Sequence, residues 1–143
     1  MMNLDEVQKM WQKDSEIDKD DLANESLRTP MLHCKYWDIY NTTRLLREKV
    51  LDGYNKKKLE RWNYYTGKAD PEVYEEHPFP FKVREKDAII RYIEADEQLS
   101  KISLKIKYYD TLLSFLEEII KSLNNRGFAI KNAIDWMRFQ NGM

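Results

Sequence analysis

Apolar residues recur along this chain at the three- and four-residue steps of one helical face, and no run alternates as a β-strand does. Leu4, Val7 and Trp11 mark a short N-terminal helix, and Asp18 or Asp20 is placed to cap a second short one through Arg28. Thr29-Pro30 reads as an N-cap followed by proline in the first turn, where the missing N–H costs nothing. The helix predicted from there carries Leu32, Tyr36, Ile39, Thr43, Leu46, Val50 and Gly53 on one line and stops at Gly67. Asp70-Pro71 and His77-Pro78-Phe79-Pro80-Phe81 cannot be helical throughout, which makes 68–82 the linker. A second long helix is predicted from Glu85 or Lys86, with Ile89, Tyr92, Asp96 and Leu99 in line. Leu99, Ile102, Ile106, Tyr109, Leu113, Leu116, Ile120 and Leu123 continue it as a heptad seam. Asn124-Asn125-Arg126-Gly127 reads as a C-cap turn, and Phe128, Ile130, Ile134 and Met137 mark a last short helix.

The predicted class is therefore all-α: two long helices, about 30–66 and 86–124, joined by a proline-rich linker, with short helices at both ends. They form a single helical domain, with an N-terminal region of residues 1–84 and a C-terminal region of residues 85–143. Rods of this length bury little of their own apolar surface compared with a compact globule. Self-association is the natural outlet, and Leu99 to Leu123 with Phe128, Ile130, Ile134 and Met137 are the expected oligomerisation positions. The alternative is an antiparallel hairpin in which Leu32 to Val50 cover the seam inside one chain.

Composition narrows the function classes. Gly 4 and Pro 4 among 143 residues leave few places to turn, and charged residues reach 34%. The formal net charge of −1 excludes a histone-like polymer binder on the total, but the signs are sorted. Residues 1–28 sum to −4, residues 44–68 to +5 and residues 69–80 to −4. No apolar run is long enough for a transmembrane helix, the N-terminus lacks a signal peptide's pattern, and Cys34 is alone. These features predict a protein of the reducing cytoplasm.

Catalytic patterns are missing. His33 and Cys34 are adjacent and diverge on a helix, His77 sits in the linker, and no further ligands complete a metal site. Cys34 reads as a small core residue, and no phosphate loop or nucleophile elbow occurs. Neither an enzyme nor a cofactor is expected. The segment Lys56-Lys57-Lys58-Leu59-Glu60-Arg61-Trp62-Asn63-Tyr64-Tyr65 stands apart, because cations alternate with rings. Arg47, Tyr54, Lys58, Arg61 and Tyr65 share a helical face, with Lys57, Arg61 and Tyr64 on a neighbouring line. Single-stranded nucleic acid needs both properties, positive charge for phosphates and flat rings for unpaired bases. The other reading is a solvated basic face whose tyrosines pack inward.

Four stretches now bear on identity: Met31-Leu32 with Lys35 and Trp37; Tyr64-Tyr65-Thr66-Gly67; Arg126-Gly127-Phe128-Ala129-Ile130-Lys131; and Asp135, Met137, Arg138 and Phe139. In type and order, over the whole chain, they resemble the UvsY family of recombination mediators of T-even-type bacteriophages. The resemblance implies an all-helical hexamer or heptamer, ring-forming, that binds single-stranded DNA. It also implies loading of a RecA-like recombinase of the UvsX type onto strands covered by phage single-strand-binding protein, in homologous recombination, recombination-dependent replication and repair. The C-terminal region would assemble the ring. A family Lys-x-Arg pair before the double tyrosine contacts DNA; Arg61 matches its arginine, but Leu59 stands at the lysine position, so Lys58 or Lys57 substitutes. Trp136 interrupts the last pattern. The expected DNA-binding residues are Lys56, Lys57, Lys58, Arg61, Tyr64, Tyr65 and Lys68. A helical protein–protein scaffold that touches no nucleic acid is the alternative function.

Overall fold

A computed structural model describes residues 2–142 as five helices: α1 (Leu4–Asp14), α2 (Leu22–Tyr65), α3 (Pro71–Glu76), α4 (Lys86–Glu94) and α5 (Glu97–Gln140). The described residues hold no strand. None of these helices is long and apolar enough to cross a membrane. The chain divides into two compact units, one of residues 1–44 with 111–143 and one of residues 45–110, so each unit draws on both sides of the expected boundary at 84 and 85.

In the first unit, α1 begins with a reciprocal cap. The Glu6 N–H donates to Asn3 Oδ1 at 2.8 Å and the Asn3 N–H to Glu6 Oε2 at 3.1 Å. Val7 then meets Leu32 and Tyr36 of α2 and Leu112, Leu116, Ile119 and Leu123 of α5 in one buried cluster. The second unit is built around Tyr64 and Tyr65 of α2, Ile89 and Ile93 of α4 and Leu99 of α5.

Several expected boundaries differ. Helix α2 starts at Leu22, not at Thr29-Pro30, and Pro30 lies inside it. Proline removes one internal donor there, but Pro30 and Ser26 one turn earlier are both exposed, so water can meet the freed carbonyl. The same turn is held by Arg126, whose Nε donates to Thr29 Oγ1 at 3.0 Å and whose Nη2 pairs with the Glu25 carboxylate. The second long helix is broken at Ala95-Asp96, and Asp96 caps α5 by accepting the Leu99 N–H on Oδ1 at 3.0 Å. Nor does α5 end at Asn124 to Gly127. Leu112, Leu116, Ile119, Leu123, Arg126 and Ile130 form one buried line in steps of four and three, which carries the helix through the glycine.

The seam is the protomer's own core. Leu99, Tyr109, Leu113, Leu116 and Leu123 are buried, and Ile102, Ile106 and Ile120 are half-buried. The alternative of a seam covered inside one chain is the one seen at its C-terminal end, where Leu32 and Tyr36 of α2 pack in one cluster with Leu116 and Leu123; Val7 of α1 joins them, which the spacing did not predict. Of the four later positions, Ile130 is buried and Ile134 half-buried, and only Phe128 and Met137 are exposed. Cys34 is exposed as well; Leu32 and Tyr36 take the inward positions either side of it.

Candidate nucleic-acid interface

The basic segment occupies the last turns of α2, and its carbonyl end is closed by glycine. Gly67 has φ +78°, its N–H donates to the Tyr64 carbonyl at 3.4 Å, and the Lys68 N–H reaches back to the Asn63 carbonyl at 2.8 Å. This paired closure satisfies carbonyls that the helix end leaves free. The chain then folds back onto α2. The Tyr74 hydroxyl donates to the Tyr64 carbonyl at 2.8 Å, the Tyr64 hydroxyl to the His77 carbonyl at 2.8 Å, and the Val83 N–H to the Tyr65 carbonyl at 3.0 Å. Tyr74 stacks on Tyr64, while Phe79 meets Tyr64, Tyr65 and Tyr92. The double tyrosine is thus boxed by rings from the linker and α4.

Arg61 is held from below by a buried acid. Its Nε donates to Asp96 Oδ2 at 2.7 Å, and the Tyr65 hydroxyl donates to the same oxygen at 2.6 Å. The guanidinium carbon lies 4.3 Å from the Tyr64 ring centroid and 5.1 Å from that of Tyr65. Burial alone would raise the Asp96 carboxyl, but hydrogen bonds from Tyr65, the Leu99 N–H and Arg61 outweigh it and hold the group below its ordinary value. Burial likewise raises the Tyr65 hydroxyl, and donation to Asp96 adds to the rise.

The seven expected contact residues consequently separate. Tyr64 and Tyr65 are 7% and 8% exposed, and the Arg61 side chain 15%. In the folded protomer these three form a frame, and the tyrosine faces are taken by neighbouring rings. Lys56 is exposed and pairs with Asp52 at 2.8 Å; Lys57 is half-buried and pairs with Glu60 at 3.0 Å. Lys58 and Lys68 are exposed and have no ion-pair partner among the described residues. Arg47 is engaged by Asp110 and Glu48. Two residues were missed. Asp96 reads from sequence as one more position on a helix line, and Trp62, four residues after Lys58, attracts no notice beside two adjacent tyrosines. No group of three or more His, Cys, Asp or Glu side chains among the described residues is arranged to hold a metal ion.

Residues 10–143 match the family described as recombination, repair and ssDNA binding protein UvsY. The chain belongs to the UvsY family. It is 27% identical over 144 residues to recombination protein uvsY of Enterobacteria phage T4, covering 99% of both chains. It also superimposes on crystal structures of the bacteriophage T4 recombination mediator protein UvsY. One gives a TM-score of 0.87 at 25% identity, with 99% of each chain covered. A second gives 0.84 at 23% identity, over 97% of this chain and 99% of that one. The all-helical UvsY fold is therefore shared along nearly the whole sequence, including the α2 segment that ends in the double tyrosine.

Proposed function

We propose that this member of the UvsY family is a recombination mediator: it binds single-stranded DNA on the last turns of α2 and offers the strand to a RecA-like recombinase in competition with single-strand-binding protein. The observation that carries this reading is the pair of uncommitted lysines, Lys58 and Lys68, flanking a frame locked by Arg61, Tyr65 and Asp96. Lys56 and Lys57 add charge whose exposed ion pairs are weak and yield to phosphate. Lys57 is bound to Glu60, so Lys58 is the better holder of the lysine role that Leu59 leaves vacant.

A handful of phosphate contacts per protomer gives weak, salt-screened affinity. Repetition in a hexameric or heptameric ring makes later contacts intramolecular and multiplies affinity without new residues. Support for assembly comes from the C-terminal turns of α5, where Phe128, Trp136, Met137 and Phe139 are 68%, 58%, 37% and 72% exposed. A strand bent across several protomers would be loosened from single-strand-binding protein and ready for the recombinase, in the cytoplasm of the phage host.

The test is recombinase ATPase activity on single-stranded DNA already covered with single-strand-binding protein. Adding the chain shortens the lag before activity, and a Lys58→Ala, Lys68→Ala variant does so poorly. An unchanged lag, with strand binding intact, overturns the mediator role; no strand binding at low salt, with a folded particle, leaves a protein–protein scaffold.

A further inference from the structure

Three of the four tryptophans have ring partners. Trp11 meets Tyr36 edge-on, Trp37 lies against Tyr40 and His33, and Trp136 stacks on Phe139. Trp62 is the exception: among the described residues no ring contacts it, and its indole N–H has no acceptor. It is half-buried against the second unit's core and lines a shallow cleft of about 310 Å³ with Asn55, Lys58 and Leu59. These positions are spaced i, i+3, i+4, i+7, so α2 holds all four on one face.

The chemistry of the cleft is specific. Leu59 is 63% exposed and gives it an apolar floor. Lys58 brings a charge without an ion-pair partner, and the Asn55 amide has no hydrogen-bond partner among the described residues. An apolar partner helix laid here would bury the Lys58 charge uncompensated, at a cost that such a contact does not recover. A ligand that is flat and apolar in one region and anionic in the next meets every group present. We propose that Trp62 is the stacking platform for one base of a bound single strand, with Lys58 on the adjoining phosphate and Asn55 at the base edge. The inference rests on the strand-binding reading above and deepens it. It moves the stacking ring from Tyr64 and Tyr65, whose faces are covered, to the neighbouring side chain, which is half-buried, pairs with no other ring among the described residues and lines the cleft.

The test compares two strands of equal length, oligo-dT and a chain of abasic deoxyribose phosphates, against the full-length protein. Trp62→Leu keeps apolar volume but removes the aromatic face, and Trp62→Phe keeps a smaller ring; circular dichroism and thermal melting show that both variants are folded. Trp62→Leu should weaken oligo-dT binding by about 5- to 150-fold, with Trp62→Phe in between, because one stacked base carries that much. Binding to the abasic strand should be unchanged, whereas Lys58→Ala should weaken both strands. Equal loss on the two strands overturns stacking in favour of a packing role. Unchanged oligo-dT binding also overturns it, and if particle mass falls at the same time the cleft is a contact between copies. A wild-type protein that binds neither strand at low salt defeats the strand-binding reading itself, an outcome distinct from failure of the Trp62 variants alone.

Discussion

Arg61 and Asp96 are 35 positions apart in sequence and 2.7 Å apart in the fold, and their pairing decides what the basic segment can offer. Asp96 is 3% exposed, so removing its counter-charge leaves a buried carboxylate held only by the Tyr65 hydroxyl and the Leu99 N–H. Arg61→Ala is expected to lower unfolding free energy by about 3–5 kcal/mol, against about 0.5 kcal/mol or less for exposed Lys58→Ala, as read by urea denaturation. Loss of DNA binding in an Arg61 variant would therefore report on the frame before it reported on contact. The acid also sets a pH dependence. Burial acts to raise its carboxyl, and hydrogen bonds from Tyr65, Leu99 and Arg61 bring it below the ordinary 3.8. A lowered folded value means the stabilisation is present in full above the unfolded value and is lost as pH falls through the folded one. The urea midpoint should drop between pH 5 and pH 3, and drop less in Asp96→Asn, which retains the cap but not the titration; equal drops would show that other groups carry the effect. The exposure of Lys58 was legible, because a basic run with so few apolar residues has little to bury. The covering of Tyr64 and Tyr65 was not, because Tyr74, Phe79 and Tyr92 return to α2 from segments that no local period links to it.

At the level of elements, the helical lines on α2 and α5 were readable where they face the core. Leu32, Tyr36 and Thr43 are buried as their spacing predicts. The boundaries were misread where a residue has two local meanings. Proline suits a first turn, yet Pro30 stands inside α2 in the turn that Arg126 ties through Thr29 and Glu25, and Arg126 with Ile130 extends the buried line across a glycine that looked like a stop. In sequence Asp96 reads as a line position, because nothing local tells a carboxylate that caps from one that faces solvent. Gly67 was read correctly, since a positive φ there closes α2. Gly67→Ala forces an L-residue into the left-handed region and sets its Cβ 3.0 Å from Lys82 Cγ. A loss of about 1–2 kcal/mol in thermal or urea unfolding is expected, and no loss would mean that the turn is not fixed as described.

For the whole molecule, the covering of the seam changes how assembly must be probed. A charge at Leu113, 8% exposed within the protomer, is expected to unfold the chain and not to release intact subunits. Trp136→Asp with Phe139→Asp alters side chains that are 58% and 72% exposed, so helicity and melting should hold while particle mass by light scattering falls. If mass is retained, the C-terminal turns of α5 are not the contact between copies. The charge pattern belongs to this scale too, because a near-neutral total conceals a band of +5 that assembly would repeat. Family membership supplies the general activity, and the strand contacts proposed above rest on Lys58 of α2 and Lys68 just beyond it, which have no ion-pair partner among the described residues. The most direct measurement is fluorescence-detected binding of oligo-dT across a salt series, for the wild type and for Lys58→Ala with Lys68→Ala. The account predicts steep salt dependence in the wild type, with weaker binding in the folded variant and a slope reduced by about 0.7 for each phosphate it no longer neutralises. An affinity and slope identical to the wild type would contradict it.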